Sequence, residues 1–168
     1  NLILHATLAA IVPIEAEIPR NVSGGGGRFL FFQGESGAMR FVSSYSITRG
    51  IRGGLQITEL QVNPSKDGLR ILLNQSPYTG PLSAGRLIEG VGQDPLSGRR
   101  RLRFRPIRPR PSSRILADQL AECRFRYLLQ PQGRGEPTVW VSEWTETGRY
   151  PEAISIEVVP KEGQTRLR

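Results

Sequence analysis

The sequence predicts an α+β fold, an N-terminal helix packed on antiparallel sheet. Three observations lead there. Leu4, Leu8, Ile11 and Ile18 recur at helical spacing with Ile14 beside the gap, so residues 1–18 read as one helix with an apolar stripe. After Gly24–Gly27 the hydrophobic period changes from helical to two. Glycine (19) and proline (13) are frequent enough in 168 residues to punctuate many short strands, and no βαβ spacing recurs.

Taken in order, the helix contains Pro13, which predicts a kink or an end near Val12. The four glycines read as a flexible break. Arg28–Phe32 and Ala38–Ser43 form a pair of strands joined by a turn-rich link, and Thr48–Gly54 is a loop. Leu55–Val62 and Leu69–Asn74 make a hairpin around Asn63-Pro64-Ser65-Lys66-Asp67-Gly68. Residues 76–98 are loop with a short strand at Arg86–Ile88. Strands follow at Arg101–Arg105, Ala121–Leu129, Thr138–Trp144 and Ala153–Val159, and Lys161–Arg168 is a polar, frayed tail. The chain divides into a helical segment, 1–20, and a β-rich body, 21–168.

The net charge is +8, and one segment accounts for it. Residues 99–114 hold Arg99, Arg100, Arg101, Arg103, Arg105, Arg108, Arg110 and Arg114 and no acid; the remaining bases and acids balance. Such a run reads either as a patch for an anionic ligand, nucleic acid included, or as a solvated edge strand whose prolines prevent pairing. The alternation Arg101-Leu102-Arg103-Phe104-Arg105 favours the strand, with Leu102 and Phe104 inward, and only Phe104 could stack a base.

Little in the sequence points to catalysis. One cysteine excludes an intrachain disulfide, and one histidine excludes paired-histidine zinc chemistry. His5 sits in the helix and Cys123 on the apolar face of its strand. Glu143 and Glu146, at i and i+3 in a strand, face opposite sides and do not form a catalytic pair. Neither a phosphate loop nor a calcium loop is present, so no catalytic, cofactor-binding or metal-binding residue is assigned.

Two groups of residues carry a resemblance. Phe32-x-Gly34 followed by Met39-Arg40-Phe41-Val42-Ser43 resembles the small strand pair of minor pseudopilins. Leu116-x-x-x-Leu120, Phe125-Arg126-Tyr127, Trp140-x-x-x-Trp144 and Tyr150-Pro151-x-Ala153-Ile154-x-Ile156 are similar, in order and spacing, to the J-type minor pseudopilin of the type II secretion system; Tyr150 stands where the family usually has leucine. The resemblance implies a pilin-like fold and a non-enzymatic subunit without cofactor or metal. Such a subunit joins I-type and K-type subunits at the tip of a periplasmic filament that supports protein secretion. It also implies a membrane anchor ahead of Asn1, placing the full-length protein in the inner membrane and this head in the periplasm. Leu4, Leu8 and Ile11 would then face either the head's own sheet or a partner helix, and Trp140 and Trp144, on one face of a strand, would be core or interface anchors. The rival expectation is a pilus-associated subunit that binds DNA or another anionic polymer through residues 99–114.

Overall fold

Pro13 decides how the chain starts. A proline ring collides with the carbonyl four residues back and brings no amide hydrogen, so Ala9 is the last residue that continues the helix comfortably. In the computed structural model, which describes residues 2–47, 51–95, 98–130, 135 and 137–161, α1 spans Leu2–Ala9 and ends there. Beyond it Ile11 bridges Ser43, and the Val12 amide donates to the Val42 carbonyl at 2.8 Å. The chain then enters β1 (Glu15–Glu17), which pairs with β2 (Arg28–Leu30).

The expected α+β layout, a helix over residues 1–18 laid across a sheet, is therefore corrected. Strands hold 54% of the described residues and helices 9%, so the fold is mostly β. Residues expected to extend the helix are consumed as strand, because Pro13 stops it and the main chain beyond finds partners on the sheet.

The other elements are β3 (Gln33–Gly34), β4 (Ala38–Ser46), β5 (Ile51–Ser65), β6 (Gly68–Pro77), α2 (Pro81–Gly85), β7 (Ile88–Gln93), β8 (Arg100–Phe104), β9 (Arg114–Leu129), β10 (Val139–Val141) and β11 (Ile154–Pro160). The central antiparallel sheet runs β10-β9-β6-β5-β4-β3, with β11 also on β9; β1–β2 and β7–β8 form two small antiparallel sheets. The β5–β6 hairpin closes where the turn residues predict, with Ser65 opposite Gly68.

Some segments differ from the reading of the sequence. Ile51–Gly54, expected in a loop, belongs to β5, with Ile51 opposite Ser46 and Arg52 opposite Tyr45; residues 48–50 lie outside the described residues. Pro81, which marked a loop, is the first residue of α2, where its missing amide hydrogen costs nothing. The first half of β9 was hidden by an irregular pattern: its pairing with β6 shifts register twice, and Gln119 adopts φ +58°. Of the expected tail, residues 162–168 lie outside the described residues.

Strand alternation sends Met39 and Phe41 to one face of β4 and Val42 to the other, and each face has its own core. The larger core joins Met39, Phe41, Leu60, Ile71 and Leu73 to Phe125, Tyr127 and Trp144. The smaller one joins Val42 and Ile57 to Ala16, Ile18, Phe29, Phe31 and Ile88, with Leu102 and Phe104 of β8 packed against it. Gly24–Gly27, read as a flexible break, is instead a seated loop. Ser23 bridges Gly90, and a side chain at Gly24 would collide with the Val91 carbonyl at 2.5 Å.

The far end of β9 curls back over the β3–β4 turn. The Phe125 amide donates to Ser36 O and the Trp144 amide to Gly34 O, both at 2.8 Å, and the Tyr127 hydroxyl donates to Glu35 O at 2.9 Å. Gly34 permits this approach. A Cβ there would lie 2.7 Å from the Tyr127 ring and 2.9 Å from the Trp144 Cβ. Gly34→Ala is expected to lower stability by roughly 1–3 kcal/mol, the usual penalty of overpacking, seen as a reduced urea midpoint; an unchanged midpoint would show that the closure yields freely.

Candidate functional site

Three strands place three polar residues in one row. Arg40 on β4 stands opposite Glu59 on β5, which stands opposite Asn74 on β6. All three are buried on the face that also carries Val42 and Ile57. A buried charge survives only when its hydrogen-bonding groups are occupied, and here they are. Arg40 Nε donates to Glu59 Oε1 at 2.9 Å, Nη1 to Gln33 Oε1 at 2.6 Å and Nη2 to the Arg105 carbonyl at 3.0 Å. Glu59 Oε2 accepts from Asn74 Nδ2 at 3.1 Å and from Arg110 Nη2 at 2.9 Å. Asn74 Nδ2 also donates to the Arg108 carbonyl at 3.0 Å, and the Ser113 hydroxyl donates to Asn74 Oδ1. The Arg40 guanidinium lies 5.7 Å from the centre of the Phe104 ring. Burial lowers the Arg40 pKa from its ordinary value, and the Glu59 carboxylate opposes that shift.

This row holds down the segment that follows β8. Residues 105–111 cross the sheet face as a strap, bound through main-chain oxygens and the Arg110 side chain, with Ile107 buried beneath. Pro106, Pro109 and Pro111 suit a strap because they bring no amide hydrogen that would need a partner.

The arginines singled out by the sequence thus divide by role. Arg99 pairs with Glu146 at 2.8 Å, Arg101 with Glu143, and Arg110 with Glu59. Arg100 lies 5.5 Å from the centre of the Phe29 ring. Arg103, Arg105 and Arg108 are exposed and make no ion pair with any described residue. Glu143 and Glu146, expected on opposite sides of a strand, both face β8, because β10 ends at Val141 and the chain beyond leaves the sheet. The same departure separates the two tryptophans. Trp144 is buried, its Nε1 donating to the Arg149 carbonyl at 3.1 Å, whereas Trp140 is 38% exposed.

Two concavities flank β8 and the strap. A cleft of about 310 Å³ separates β8 from residues 143–147, spanned by the Arg101–Glu143 pair. An open pocket of about 410 Å³ lies between the strap and Leu87–Glu89, walled by Arg105, Arg108 and Arg110 with Arg40 and Glu59 behind them. Leu4, Leu8 and Ile11 lie elsewhere, partly buried against the larger core, so the structure seats them on the chain's own sheet. The outer side of α1 remains apolar and open, with Leu2 89% exposed. His5 is exposed on α1, and among the described residues no cluster of His, Cys, Asp and Glu is arranged to hold a metal ion. Among the described residues no helix is long and apolar enough to cross a membrane.

Sequence reasoning missed the Arg40–Glu59–Asn74 row. The signal available was one arginine inside Met39–Val42 and one glutamate inside Ile57–Leu60, opposite charges set beside apolar residues in two consecutive strands. Comparison with known proteins returns no matching family model, no matching curated protein and no matching solved structure.

Arg40→Met removes the buried partner of Glu59 and leaves it only the half-exposed Arg110, and is expected to cost roughly 3–5 kcal/mol; Arg101→Gln, which breaks a half-exposed pair, should cost at most about 1 kcal/mol. Chemical denaturation of both variants measures the contrast, and equal losses would contradict it. Cys123 supplies a pH test. Burial pushes its thiol up to about 11. A thiol ordinarily titrates near 8.5, so the unfolded chain loses this proton first and stability should fall from about pH 9 towards about 11. Cys123→Ala should flatten that part of the profile of melting temperature against pH.

Proposed function

We propose that the chain is a structural subunit of a protein-secretion filament, of the J-type minor pseudopilin kind, which works by touching sister subunits and not by turning over a substrate. The reading comes from the motif resemblance. The observation that carries it furthest is where the motif residues lie. Leu116, Leu120, Phe125, Tyr127 and Trp144 are buried together, with Tyr150, Ile154 and Ile156 packed against them. The same strands turn Ile115, Val139, Trp140, Val158 and Val159 outward, each 38–52% exposed. Large apolar side chains displayed on a stable sheet suit contact with another protein. On this reading the domain works on the periplasmic side of the inner membrane, tethered by the membrane anchor that the resemblance implies ahead of Asn1, and its partners are the I-type and K-type subunits.

The rival reading, an anionic polymer bound along residues 99–114, is less favoured. Carboxylates hold Arg99, Arg101 and Arg110, which reduces the field that a polyanion would meet.

Analytical ultracentrifugation of this domain mixed with I-type and K-type heads is the test. A species heavier than any component is expected, and its formation should weaken when Trp140 is replaced by alanine. Sedimentation of every component as a monomer at micromolar concentrations would overturn the proposal.

A further inference from the structure

Arg105 and Arg108 serve the fold through their main chain alone. The Arg105 carbonyl accepts from Arg40 and the Arg108 carbonyl from Asn74, each at 3.0 Å. Any residue would supply those oxygens. Their guanidinium groups, by contrast, are exposed, pair with no described carboxylate and line the open pocket of about 410 Å³ beside the strap.

The charges around that pocket are unequal. Arg40, Arg105, Arg108 and Arg110 line it, against Glu59 and Glu89. Glu59 is already committed, since its two oxygens accept from Arg40, Asn74 and Arg110. Glu89 is exposed and is the one other acid in the lining. A concave wall of like charge concentrates potential and draws a counter-ion. Guanidinium groups add paired donors whose fork matches the oxygens of phosphate and carboxylate.

We propose that this pocket binds one compact oxyanion, a phosphate or a carboxylate group, gripped by the side chains of Arg105 and Arg108 with Arg110 beside them. The geometry suits a compact ligand better than an extended one. A polyanion tracking the whole run would have to draw Arg101 from Glu143 and Arg99 from Glu146. This site is independent of the assembly reading above and stands whether or not sister subunits bind.

The test is titration of the purified 168-residue chain at low ionic strength with inorganic phosphate in one arm and acetate in the other, followed by arginine side-chain NMR signals. Saturable one-to-one binding of at least one of the two is expected, and the stronger arm identifies the chemistry. R105A/R108A should weaken it at least tenfold without lowering the melting temperature, because the carbonyls remain. R99A/R100A should change it less than twofold. Should the alanine pair fail to fold, R105Q/R108Q reads the same loss. Absence of saturable binding in both arms overturns the proposal, as does an equal loss in both double variants. It is also overturned if a single-stranded oligonucleotide binds with a log–log salt slope near about −5, the value for some seven phosphate contacts, and phosphate fails to compete.

Discussion

The rest of the structure depends on one buried ion pair. Arg40 and Glu59 sit opposite each other on neighbouring strands, and each is nearly inaccessible to water. Their mutual attraction alone does not repay the loss of hydration, and a well-packed apolar pair of the same volume would often serve stability equally well. What the pair adds is uniqueness. An unmatched guanidinium or carboxylate in that position is costly, so β4 and β5 are held in the one register that brings the two together. The surplus hydrogen-bonding capacity of both groups then reaches outward to β3 through Gln33, to β6 through Asn74, and to the strap through Arg105 and Arg110, while Asn74 itself binds the Arg108 carbonyl.

That dependence explains why the arginine run does not behave as one object. Sequence proximity suggests a uniform positive band, but the fold divides it. β8 carries Arg101 towards a loop bearing Glu143, and the strap carries Arg110 onto Glu59. Local composition reports how much charge a segment has. Only the tertiary arrangement reports how much of it is already spoken for.

Much of the fold was legible where pattern and turn chemistry agreed. The β5–β6 hairpin announced itself through Pro64, Asp67 and Gly68, and β8 through the alternation that sends Leu102 and Phe104 inward. The helix was overread because Leu4, Leu8 and Ile11 keep a helical period, whereas Pro13 acts four residues earlier than its own position, at the carbonyl of Ala9, where the helix ends. The first half of β9 escaped notice because bulges and the positive φ at Gln119 break a period of two. The candidate sites were half visible. The run itself stood out, whereas the partners that sort its members, Glu59, Glu143 and Glu146, lie 42 to 51 residues away along the chain and enter only through folding.

The junction after α1 has a mechanical consequence. Where the helix stops, Val12 is bonded to Val42, Ser44 to Ala10, and Ile11 is paired with Ser43 in the middle of β4. Tension applied to the helix would therefore be delivered to a strand inside the main sheet and shared along its ladder with β5. A tether pulling there loads the body of the domain, and the short linker has little slack in which to absorb the force.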